Sequence, residues 1–134
     1  MAPGEEGSVT AEASLLLVLL LVGHFLGDFT PLSTARMLRA KAIGRPLRPI
    51  FEHAGVHAGL VAMAVGIMGV SLRGIVLAAT VELLTHFTVD VGRGRLMHRF
   101  PRLSDPADGA FWTTLGLDQL AHGLVLLGLV RLVL

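Results

Sequence analysis

The chain has 134 residues, of which 53% are hydrophobic and only 16% charged, with a mean hydropathy of +0.71 and a formal net charge of +1. That length fits a single domain, residues 1–134. The absence of cysteine excludes disulfides, thiolate metal sites and cysteine nucleophiles. Arginine outnumbers lysine ten to one, which reads as a compositional bias without chemical meaning.

In chain order, residues 1–12 read as a short flexible polar tail at a membrane surface. Glu5 and Glu6 stand where a signal peptide would be basic, and no small-residue cleavage site follows the apolar run, so that run is expected to be a retained transmembrane helix. It covers about residues 13–29 and ends in GHFLGDF, where Gly23 and Gly27 form a small-xxx-small ridge and Pro31 stops the helix. Residues 30–49 form a basic loop (Arg36, Arg39, Lys41, Arg45, Arg48) in which STARMLRAKA suits a short amphipathic helix lying on the membrane. A second span is expected over about residues 50–70, with Gly55 and Gly59 as another small pair, and a third over 74–91. Residues 92–109 read as a second basic loop, in which His98 is solvated, and a fourth span covers about 110–132. The fold class is therefore all-α: a polytopic membrane protein built as a four-transmembrane-helix bundle.

Nine of the eleven Lys and Arg residues fall in the two basic loops. By the positive-inside rule both loops are cytoplasmic and both termini lie outside.

One arrangement recurs in every apolar run: His24 with Asp28, His53 with His57, His86 with Asp90, and Asp118 with His122, each four residues apart. On a helix, positions i and i+4 share a face. Each pair stands at the cytoplasmic end of its span, so a bundle can point all four at one another. Ionisable groups in hydrocarbon are costly unless compensated. A divalent transition metal, zinc first and iron or manganese next, in one or two ions, is the expected partner of all eight residues. Glu82 and Glu52 are the candidate general bases. Gln119 suits a hydrogen bond behind the ligands rather than ligation, and Ser33 stands in no nucleophile motif.

GHFLGDF, the basic loop with Lys41, the His53 motif, HFTVDVGRGR and LDQLAH together resemble a family of small multi-pass membrane proteins of bacteria and phages that is known only as a domain of unknown function. The resemblance runs from about residue 15 to 130 and implies a bacterial inner-membrane protein. More distantly the chain resembles membrane-bound metal-dependent hydrolases. It departs from the first pattern at Thr30-Pro31-Leu32-Ser33, where Leu-Gln is expected, and at His57, where an aromatic residue is expected.

The expected function is a metal-dependent hydrolase acting on a lipid or anionic membrane substrate near the cytoplasmic face. Membrane lipid is the partner, and anionic lipid or phosphate is drawn to the basic loops. A homo-oligomer is compatible with the sequence, and nucleic acid is not an expected partner. The alternatives are a divalent-metal transporter or channel subunit and a di-iron or haem oxidoreductase.

Overall fold

The computed structural model describes residues 3–134, with side chains from Val9 onward. Five α-helices follow in order: α1 (Pro3–Phe29), α2 (Ala35–Ile43), α3 (Leu47–Ile67), α4 (Leu72–Arg99) and α5 (Gly109–Val133), with a 3₁₀ turn at Pro101–Ser104 before the last. No strand occurs among the described residues. α1, α3, α4 and α5 are each long and apolar enough to cross a membrane.

The second span lies about three residues earlier than expected, at Leu47–Ile67, and two boundaries differ by more. The segment expected to be a polar tail is helical from Pro3, and residues 1–2 lie outside the described residues. Proline is tolerated at a first helical position, where its missing N–H would be unpaired anyway. The expected loop 92–109 is helix as far as Arg99. That expectation rests on its arginines and on Asp105 and Asp108. Gly94 marks a close approach: a Cβ at that position would run into the Lys41 carbonyl and the backbone of Gly44. The glycine lets α2 lie directly on α4.

The amphipathic segment of the first basic loop does fold as a helix. Thr34 caps α2 by accepting from the Met37 N–H at 3.3 Å. Gly44 ends it in the left-handed conformation (φ 68°). α2 buries Met37, Ala40 and Lys41. Ser71 caps α4 by accepting from Gly74 N at 3.3 Å. Asp108 caps α5 by accepting from Ala110 N at 2.9 Å, and it pairs with Arg102. The Arg102 guanidinium, with that backbone N–H, holds the Asp108 carboxyl below its ordinary pKa.

The bundle is layered along its length. In the half away from α2, Leu16, Leu20, Val61, Val65, Leu126 and Leu129 form a closed apolar core. The half beneath α2 is filled by histidine and carboxylate side chains instead. The outside is the reverse of a soluble protein's: Val18, Phe25, Met63, Ile67, Leu84, Leu117 and Leu124 all face outward. Apolar outside and polar inside is the pattern a lipid surround favours. The Gly23–Gly27 ridge is packed by α3, with Leu60 beside Gly23 and the His57 ring over Gly27, whereas Gly55 and Gly59 meet nothing.

Candidate metal centre

Each i,i+4 stripe turns inward, and the four helices bring the stripes to one level. His57 and His86 stack with ring centroids 3.7 Å apart, and His86 and His122 with centroids 4.2 Å apart. His24 lies 5.0 to 5.6 Å from the rings of His57, His86 and His122. Three overlapping groups hold ligand atoms within 4.8 Å of one another: His24, His57, Glu82 and His86; Asp28, His53, His57 and His86; and His86, Asp90 and His122. His86 belongs to all three. These buried groups could hold a metal ion. His57, where the family resemblance called for an aromatic residue, belongs to two of the groups.

Hydrogen bonds behind the rings fix which nitrogens point inward. Ser33 Oγ donates to the Gly27 carbonyl at 2.8 Å and accepts from His53 Nδ1 at 3.0 Å. His86 Nδ1 donates to Glu82 Oε1 at 3.1 Å, both groups being fully enclosed. The Nε2 lone pairs of His53 and His86 therefore face each other at 3.3 Å. Asp28 Oδ1 lies 3.1 Å from His53 Nε2, and Asp90 Oδ2 lies 3.5 Å from His86 Nε2. Four acceptor atoms converge here, and such a convergence requires positive charge; the Lys41 ammonium supplies part of it, 2.7 Å from Asp28 Oδ1 and 2.9 Å from His53 Nε2. Around them, His24 Nδ1, His57 Nε2, His122 Nε2 and both Asp90 oxygens are buried and make no hydrogen bond. A carboxylate or carbonyl that orients the far nitrogen of a ligating histidine is the usual support of a metal site.

The structure adds a residue that the sequence reading gave no role at the centre. Lys41, the one lysine in the chain, is 9% exposed. Its Nζ lies 2.7 Å from Asp28 Oδ1, 2.9 Å from His53 Nε2 and 3.2 Å from Asp90 Oδ1. α2 thus threads a single ammonium into the acceptor cluster from the surface. The signal in the sequence was the solitary lysine among ten arginines, which is no mere bias. A lysine's flexible stem and compact head reach a buried carboxylate pair where a guanidinium fork would not fit.

The remaining candidates fall at the margin or outside. Asp118 stands at the edge, in none of the three groups: one oxygen is 3.7 Å from His122 Nε2, and the other accepts from Gln119 Nε2 at 3.3 Å and faces Arg93 at 3.7 Å. Gln119 Oε1 accepts from His24 Nε2 at 3.4 Å, so this side chain supports the ring rather than the centre. Glu82 is inside the cluster. Glu52 is not: it lies on the surface of α3, 29% exposed, paired with Arg36 and with Arg48 at 3.1 Å. It precedes His53 by one position, which on a helix turns it about 100° away from the inward stripe. His98 is exposed, with Arg45 Nη2 3.5 Å from its Nε2.

A cavity of about 250 Å³ opens onto the cluster from the side. Its polar lining is Asp28, Lys41, Arg93, Asp118 and Gln119, with Phe29, Leu38 and Leu115 among its apolar walls.

Residues 16–133 match the family described as "Protein of unknown function (DUF3307)", and the chain belongs to that family. No curated protein and no solved structure matches it.

Proposed function

We propose that this member of the family is an integral membrane protein that binds one or two divalent transition-metal ions, zinc first and iron or manganese next, and hydrolyses a lipid or other anionic substrate near the cytoplasmic face of a bacterial inner membrane, with both termini outside. The observation that carries the reading is the ring of buried atoms around His86 that make no hydrogen bond, His24 Nδ1, His57 Nε2, His122 Nε2 and the Asp90 oxygens, contributed by all four long helices. His24, Asp28, His53, His57, His86, Asp90 and His122 would hold the metal, with Asp118 beside His122. A bound divalent ion supplies an acidified water and a Lewis acid for the substrate. Glu82 orients His86, and Ser33 orients His53. Glu52 takes no part. Lys41 and Arg93 line the side cavity, where they would attract a negatively charged group, while Phe29, Leu38 and Leu115 suit an acyl chain.

Elemental analysis of detergent-purified protein should find zinc, iron or manganese. His86→Ala should abolish it, together with metal-dependent cleavage of a phosphate-ester lipid. Metal-free protein, with His86→Ala as stable as the parent, would reduce the cluster to a polar packing network. Metal flux into liposomes without hydrolysis would favour transport.

A further inference from the structure

The metal cluster leaves another feature unexplained. At the end of the bundle that carries the arginines, the turn between α2 and α3 packs against the end of α4. Gly44 makes this possible: a Cβ there would lie 2.7 Å from the Arg95 backbone nitrogen and from its Cγ. The approach brings Arg45, Arg95, Arg99 and His98 around one cavity of about 510 Å³, with Ile43 and Leu47 also lining it. Ile43 and Leu47 are each more than a third exposed.

Most of the other arginines at this end are compensated; Arg39 is not, among the described residues, but it does not line the cavity. Arg36 and Arg48 pair with Glu52, Arg93 with Asp118, and Arg102 with Asp108. Among the described residues no carboxylate lies within ion-pair distance of Arg45, Arg95 or Arg99, and none lines the cavity. Three uncompensated guanidinium groups held around a common space repel one another, and a multivalent anion removes that repulsion.

We propose that this cavity is a binding site for a phosphate group carried by an anionic membrane lipid. The guanidinium groups of Arg45, Arg95 and Arg99 grip the headgroup phosphate, and Ile43 and Leu47 meet the apolar part of the lipid. The site uses none of the residues of the metal centre. It depends on the membrane-spanning reading and not on the identity or presence of a metal.

The test measures phosphatidylglycerol retained by the full-length protein in neutral detergent micelles, by native mass spectrometry, for the parent and two charge-matched triple variants. The first replaces Arg45, Arg95 and Arg99 with Gln. The second replaces Arg39, Arg73 and Arg131, which have no carboxylate partner among the described residues and do not line the cavity. The three cavity arginines are exposed, so the first variant should fold, with the metal content and thermal midpoint of the parent in lipid-free detergent. The single variant Arg99→Gln, at a helix end, provides a milder second reading. Retention should fall about tenfold or more in the cavity triple, partly in Arg99→Gln and little in the control triple. Equal loss in both triples would reduce the effect to general electrostatics and overturn the site, as would retention unchanged in the cavity triple. Inorganic phosphate that displaces the lipid at equal concentration would overturn the lipid as the source of the phosphate. Metal content is measured on the same samples, so a missing metal would count against the hydrolase and leave this result standing.

Discussion

Replacing Lys41 with methionine keeps most of the length and volume of the side chain and removes its charge. In the parent the ammonium sits 2.7 Å from Asp28 and 3.2 Å from Asp90, with His53 Nε2 at 2.9 Å, and all four side chains are at least 90% buried. Removing one partner of a buried ion pair typically costs about 3–5 kcal/mol, because the other charge is left uncompensated. Without metal, Lys41→Met should therefore lose stability of that order, read as a lower denaturant midpoint in detergent. A divalent ion among the same oxygens would restore the compensation. By linkage, a stability loss of about 3 kcal/mol confined to the metal-free form raises metal affinity about 100-fold. Isothermal titration with zinc and manganese, beside unfolding curves with and without metal, measures both sides of the cycle. A metal-free Lys41→Met protein as stable as the parent would refute the argument. So would equal stabilisation of parent and variant by the ion, which would mean that the ammonium and the metal do not share the carboxylates.

Three further outcomes follow from the geometry. Gly27→Ala places a methyl group against the His57 ring, so it should cost about 1–3 kcal/mol by overpacking and lower the metal content, whereas Gly55→Ala, which meets nothing, should change stability by less than about 0.5 kcal/mol; unfolding curves of the two variants make the comparison. Glu82→Gln leaves an acceptor for His86 Nδ1 but removes its charge, and metal affinity should fall by about 10- to 100-fold with the helix content unchanged by circular dichroism. Asp108 has its carboxyl held low by Arg102, so its contribution to the start of α5 is present above the ordinary carboxylate range and lost as pH falls through the depressed value; the acid limb of the stability profile should be weaker in Asp108→Asn, and an unaltered limb would remove Asp108 from the account.

The parts of this site that were legible in the sequence were those a helix repeats. His24 with Asp28, His53 with His57, and Glu82 with His86 and Asp90 sit at i+4 spacing, and a single turn of geometry puts each set on one face. The apolar runs around them were long enough to mark four helices capable of crossing a membrane. What failed was the reading of residues whose role depends on a neighbouring helix. Lys41 was read as a surface charge because nothing within α2 points to Asp28 or Asp90, which lie on α1 and α4. Ser33 was set aside for want of a nucleophile motif, although its hydroxyl is what turns the His53 ring. Residues 92–99 read as loop because their arginines suit a solvated surface, and only the packing of α2 against Gly94 shows the helix continuing there. Glu52 was grouped with Glu82 by residue type, whereas the periodicity already separated them: Glu82 shares the His86 stripe, and Glu52 does not share the His53 stripe.

The layering of the bundle bears on transport against chemistry. An ion passing through one copy of the chain would leave the cluster at His122 and His24 and meet Leu16, Leu20, Val61, Val65, Leu126 and Leu129, a core with no polar side chain to replace lost ligands. Conduction needs successive sites weak enough to release, and this half offers none. The side cavity instead meets the cluster at Asp28 and Lys41, and it is lined by Arg93 and by apolar side chains of α1, α2 and α5. A site open to one side and sealed above suits a ligand that stays while a substrate arrives and departs laterally. Replacing Leu38 or Leu115 in that cavity with Trp should then block turnover and leave metal content unchanged. If the same substitutions stripped the metal, the cavity would be the route of the ion itself.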